Sequence, residues 1–122
     1  MAQQTRFLAL GFLVGMMACA VPAAAQNVRT YDLQGTNPNG STYRGTFLVQ
    51  KVGTASYNVR WQIGNTAIDG VGMMSGNIAT ATYLLNRKVG LIIFTLNDDG
   101  TMDGQWTVQG SEGVGTEHLT PR

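Results

Sequence analysis

From Tyr57 to Gly64 the chain alternates strictly: Tyr57, Val59, Trp61 and Ile63 are apolar, and the residues between them, Asn58, Arg60 and Gln62, are polar. A period of two places the large side chains on one face of a β-strand and the polar ones on the other, whereas a helix would scatter both around its axis. Met102 to Gln109 repeats the arrangement around Trp106. Two strands that each carry an indole on one face call for a shared core, and the rest of the chain has to supply the strands that close around it.

Turn-forming residues set that layout. Asn37-Pro38-Asn39-Gly40 is a strong hairpin turn, because proline fixes φ and Asn-Gly supplies the positive φ of tight hairpins. It is followed by Gly53-Thr54, Gly64-Asn65, Gly76-Asn77, Lys88-Val89-Gly90, Asp99-Gly100 and Gly110-Ser111, spaced after the first interval by 11 or 12 residues. Seven turns delimit eight strands: 28–34, 43–52, 56–63, 68–74, 78–85, 91–97, 102–109 and 115–120. Even spacing of this kind marks an all-β sandwich or barrel, and short links between successive strands favour an up-and-down meander over a Greek key. The expected fold is therefore all-β, a small eight-stranded antiparallel up-and-down barrel of the calycin-like kind. Leu91-Ile92-Ile93-Phe94 is continuously apolar, which predicts a strand covered on both faces. Glycines inside the strands (Gly45, Gly70, Gly72, Gly104 and Gly115) are expected at bulges or tight bends.

The first 25 residues read as a signal peptide rather than as part of this fold. Arg6 precedes the apolar run Phe7 to Met17, and Ala23-Ala24-Ala25 forms an A-x-A cleavage site before Gln26. The single cysteine, Cys19, falls inside that segment, and Met16-Met17-Ala18 before it is a poor lipobox. The reading is thus a leader over 1–25 and one barrel domain over 26–122, secreted or periplasmic, with no disulfide to support a small core. Without Arg6, seven basic and seven acidic residues remain, leaving no basic stripe for nucleic acid and no polybasic anchor for anionic lipid.

Catalytic and metal chemistry find little support. His118 is the only histidine, there is no G-x-S-x-G, and Gly72-Met73-Met74-Ser75-Gly76 has the wrong spacing for a nucleophile elbow. One histidine and no cysteine in the mature chain cannot form a zinc site. Asp99-Gly100-Thr101-Met102-Asp103-Gly104 looks like the opening of a calcium loop, yet its twelfth position is Gly110, where a bidentate glutamate is required. Gly70-Val71-Gly72 and Gly113-Val114-Gly115 lack the helix N-terminus that a phosphate loop needs. The expectation is a protein that is not an enzyme and has no cofactor.

Two sets of residues remain as binding candidates. Tyr57, Trp61, Tyr83 and Trp106, with Phe47 and Phe94, either line a pocket for a small apolar ligand in the barrel mouth or fill the core. The short strands and bulky rings favour a filled core. Arg44 and Arg60 lie on the outer faces of the second and third strands, where with Gln62 and Lys51 they would form one contact patch.

The layout Asn37-Pro38-Asn39-Gly40-Ser41-x-Tyr43-x-Gly45, Tyr57-x-Val59-x-Trp61-x-Ile63-Gly64, Gly70-Val71-Gly72, Asp99-Gly100-x-Met102-x-Gly104-x-Trp106 and Gly115-Thr116-Glu117 resembles a family of small secreted proteobacterial proteins. Its members are mostly hypothetical, and some are labelled fibronectin-binding protein. The alternation also looks like that of avidin and lipocalin barrels, although their Gly-x-Trp lies near the first strand and Gly104-Gln105-Trp106 lies near the end. The resemblance implies a barrel and a binding or interaction module, with a host or matrix protein such as fibronectin as partner. A carrier of a small apolar ligand is the second expectation, and an inhibitor of an envelope-attacking hydrolase, which would need a protruding loop, the third.

Overall fold

The computed structural model describes residues 28–122; the expected leader lies outside them. Eight strands follow one another: β1 (Val28–Thr36), β2 (Thr42–Lys51), β3 (Ser56–Ile63), β4 (Thr66–Ser75), β5 (Ile78–Leu85), β6 (Lys88–Leu96), β7 (Met102–Val108) and β8 (Gly115–Pro121). Each pairs antiparallel with its neighbour in sequence, and β1 pairs with β8, so the sheet closes into an up-and-down barrel. Closure means that every strand has a neighbour on both sides.

The hairpins form where turn chemistry places them. In the first, Gly40 has φ of 92° and its N–H donates to Asn37 O at 2.8 Å, while the Asn39 side chain accepts from Ser41 N and Oγ. Gly64 and Gly76 open two-residue turns at φ of 61° and 60°. The fifth turn departs from expectation. Leu85 faces Lys88, so the turn is Asn86-Arg87, with φ of 52° and 68°, and Lys88-Val89-Gly90 begins β6. Gly90 punctuates nothing: it is buried inside the barrel, and its missing side chain makes room for a ring.

That last feature recurs and shapes the interior. Gly35 stands opposite Tyr43, Gly90 opposite Tyr83, Gly104 opposite Phe94 and Gly115 opposite Trp106. In each pair a Cβ on the glycine would fall within the facing ring. The four rings can thus lie across the barrel wall instead of standing into its axis. Gly104 therefore marks no bulge, since the β6–β7 and β7–β8 registers run unbroken through it, and Gly115 forms the last pair of the β7–β8 register, with Trp106. At Gly45, Gly70 and Gly72 a Cβ would meet a carbonyl oxygen of the adjacent strand, so the close approach of the neighbouring backbone requires glycine there.

The packed core occupies the middle of the barrel, where Leu33, Phe47, Ile92, Phe94 and Leu119 are almost wholly enclosed. Phe47 sits at its centre, with ring centroids 4.9 Å from Trp61, 5.5 Å from Phe94 and 6.3 Å from Tyr31. One expectation fails in β6. Ile92 and Phe94 are buried, but Leu91 and Ile93 are 51% and 56% exposed, so the strand is covered on its inner face only. Strand alternation overrides the apolar run, because among the described residues no element packs outside the closed sheet.

Candidate functional site: a cavity at one end of the barrel

Above the packed middle, the end that carries the β1–β2, β3–β4, β5–β6 and β7–β8 turns stays open. A cavity of about 250 Å³ lies there, bordered by Asn37, Tyr43, Trp61, Ile63, Ile68, Tyr83, Leu85, Ile92, Trp106 and Glu117. Three of its four aromatic residues, Tyr43, Tyr83 and Trp106, are the glycine-backed rings described above. Their position flat against the wall is the physical reason that space remains along the axis. The fourth, Trp61, is 3% exposed and wedged between Phe47 and Tyr83, whose ring centroid is 5.0 Å away.

Glu117 is the polar centre of this end. Gly115, Glu117 and Leu119 alternate inward along β8, so strand parity drives a carboxylate into the lumen, where it is 6% exposed. Tyr43 Oη donates to Glu117 Oε2 at 2.7 Å, and Trp61 Nε1 donates to Oε1 at 3.0 Å. Each oxygen thus has a protein donor, as a buried carboxyl requires. Burial pushes the Glu117 carboxyl above its ordinary range, against the opposing pull of those two hydrogen bonds. Burial and then the nearby Glu117 carboxylate push the Tyr43 hydroxyl far up, and the same two causes raise Tyr83 to about 12. Among the described residues, none of the ion pairs includes Glu117.

The Trp106 indole adds an unused donor. Its Nε1 is enclosed and makes no hydrogen bond of acceptable geometry, although it lies near enough to the Tyr43 hydroxyl to moderate that group's upward shift. A buried N–H without an acceptor costs about 1–3 kcal/mol.

The structure brings Trp61, Tyr83 and Trp106 together around this cavity, and Phe47 and Phe94 lie beneath it in the packed core. Tyr57 does not join them. It borders a gap of about 50 Å³ at the opposite end, beside Val49, Val59 and Met74. Tyr57 and Trp61 share a face, but four residues along a strand carry them from one end of the barrel to the other. Arg44 and Arg60 are exposed on the outside, as expected, without forming one patch. Leu48 faces Arg60, and Arg44 lies four positions further along β2. Arg60 is also committed to its cross-strand neighbour Asp69, through Nε–Oδ1 at 2.7 Å and Nη2–Oδ2 at 3.1 Å. Lys51 has the opposite parity to Arg44 and faces Tyr57.

Sequence reasoning missed Glu117 and Tyr43 as site residues. For Glu117 the available signal was a charged residue at an inward position, between Gly115 and Leu119. For Tyr43 it was the inward alternation of β2 together with a glycine across the hairpin. The Asp99 carboxylate, which opened the calcium-like stretch, accepts from Thr101 N at 2.9 Å and Oγ1 at 2.6 Å and so closes its own turn. His118 Nδ1 lies 2.6 Å from Asp103 Oδ1 on the outer face.

Fold and site together define a small eight-stranded meander barrel, packed in the middle and hollow at one end, an architecture consistent with a binding module. No family model and no curated protein matches the chain. No helix among the described residues is long and apolar enough to cross a membrane.

Proposed function

We propose that the protein is a secreted or periplasmic, non-catalytic binding module that carries a small, largely apolar molecule in the cavity at the barrel mouth. The observation that supports this reading is the cavity of about 250 Å³ among Tyr43, Trp61, Tyr83 and Trp106, with Glu117 enclosed beside it. Side chains can fill an eight-stranded barrel completely, so this much open space reflects how the rings are seated rather than a demand of the fold. The volume exceeds the ~150 Å³ of an apolar cavity that admits benzene. This order of preference reverses the one drawn from sequence, which rested on the family resemblance and a filled lumen.

The test is native mass spectrometry of protein purified from its secreting host, with tryptophan fluorescence titrations against small aromatic and aliphatic probes. A retained small molecule, or saturable quenching lost in Tyr83→Ala and Trp106→Ala but kept in the Arg44→Ala/Arg60→Ala variant, is the expected result. Tyr57→Ala should bind normally, because Tyr57 lies at the other end. An empty protein that responds to no probe would refute the carrier.

A second reading, an interaction module for an extracellular protein such as the fibronectin suggested by the family resemblance, draws support from a different face. On the outside of β4 to β6, Val71, Met73, Leu84, Leu91 and Ile93 are all exposed. An apolar surface of that kind suits protein contact. If that is the activity, Leu91→Asp/Ile93→Asp should abolish capture of the partner in a pull-down with candidate matrix proteins, while the cavity variants leave it intact.

A further inference from the structure

We propose that the ligand of this cavity is a small organic cation, an ammonium with a short apolar body, held by the Glu117 carboxylate within a cage of aromatic rings. The inference rests on the carrier reading above and deepens it. Its first support is an imbalance of charge. Glu117 is enclosed by protein, borders the cavity, and among the described residues has two neutral donors but no cationic side chain as partner. An ionised carboxylate without a counter-charge is costly in an apolar site, and an incoming cation removes that cost where a neutral ligand would leave it in place. An anion would add to it.

The second support is the composition of the wall. Two tryptophans and two tyrosines surround the same space, and Trp61 and Tyr83 meet at an interplanar angle of 59°. An aromatic lining of this composition is what receives quaternary ammonium groups. Ile63, Ile68 and Leu85 complete the wall with aliphatic surface for the body of the ligand. A purely structural role for Glu117, satisfying Tyr43 and Trp61, needs only an acceptor and explains neither the charge nor the cage.

Choline and 3,3-dimethylbutan-1-ol separate the possibilities, since they share shape and hydroxyl and differ only in charge. By isothermal titration calorimetry the protein should bind choline about tenfold or more tightly than the neutral isostere, the scale of a desolvated cation–π contact joined by a carboxylate. Choline does not titrate, so its affinity should fall in acid as Glu117 takes up a proton, whereas that of the isostere should not change. Glu117→Gln, which keeps an acceptor for one donor, should erase the difference between the two probes. Should that variant fold poorly, Trp106→Leu on the half-buried wall should weaken choline while sparing the isostere. Equal or tighter binding of the isostere, or a choline affinity independent of pH, would overturn the cation and leave the carrier standing. Failure of both probes, with no molecule retained on purification, would overturn both.

Discussion

The buried Glu117 carboxyl makes the stability of the barrel depend on pH. Burial holds its carboxyl above the ordinary 4.5, so the folded protein binds that proton more tightly than the unfolded chain does. The stability this confers is complete below about 4.5 and is lost as pH rises through the raised value. Three exposed carboxyls act in the opposite sense. Asp69 beside Arg60, Asp99 bonded by Thr101, and Asp103 bonded by His118 and Asn97 are all held below the ordinary 3.8. Their contributions are complete above 3.8 and are lost as pH falls through the lowered values. Stability should therefore peak in mild acid and decline toward neutrality. Thermal melts from about pH 3 to about pH 9 check this, with Glu117→Gln expected to level the limb above the peak. A wild-type curve that is flat across that limb would contradict the assignment.

At the scale of elements, the facing of glycine and ring decides both packing and open space, and two substitutions separate these roles. A Cβ at Gly104 would lie 2.6 Å from the Phe94 ring, which is fully enclosed and has nowhere to go. Gly104→Ala should cost about 1–3 kcal/mol, the usual range for overpacking. At Gly115 the displaced group is Trp106, which borders the cavity and can swing into it. Gly115→Ala should therefore cost less stability than Gly104→Ala, while a ring pushed into the cavity abolishes ligand binding. Denaturant midpoints and a probe titration on both variants test the contrast. The same pairs explain what the sequence made legible. The limits of β3 and β5 coincide with those read from alternation and turn residues, because both signals are local. Which glycine faces which ring depends on register between strands, and single-strand periodicity does not carry that. Hence Trp61, Tyr83 and Trp106 were recognisable as inward residues, whereas the cavity between them was not. Gly90 shows the cost of a purely local reading: taken as part of a turn, it is a seat for Tyr83.

Across the whole molecule the barrel is divided, with a closed middle that supplies stability and an open end that does not. Trp61 and Trp106 stand on either side of that division, although in sequence they look equivalent. Trp61 is enclosed, touches Phe47 and Tyr83, and donates to Glu117. Trp61→Ala should cost about 3–5 kcal/mol, as deletion of a buried aromatic does, and it also takes one of the two donors from a buried carboxyl. A domain of this size has about 5–10 kcal/mol in total, so the variant should be close to unfolding at room temperature. Trp106 is half-buried, rests on a glycine, and has an N–H that bonds to nothing. Trp106→Ala gives up less buried area and no hydrogen bond, so its cost should be roughly half as large. Urea titrations should show a large fall in midpoint for Trp61→Ala, a moderate one for Trp106→Ala, and a shared slope. Trp106→Ala, still folded, should lose the cavity ligand. Equal falls for the two variants would mean that the open end is as much a part of the stabilising core as the middle, and the division would not stand.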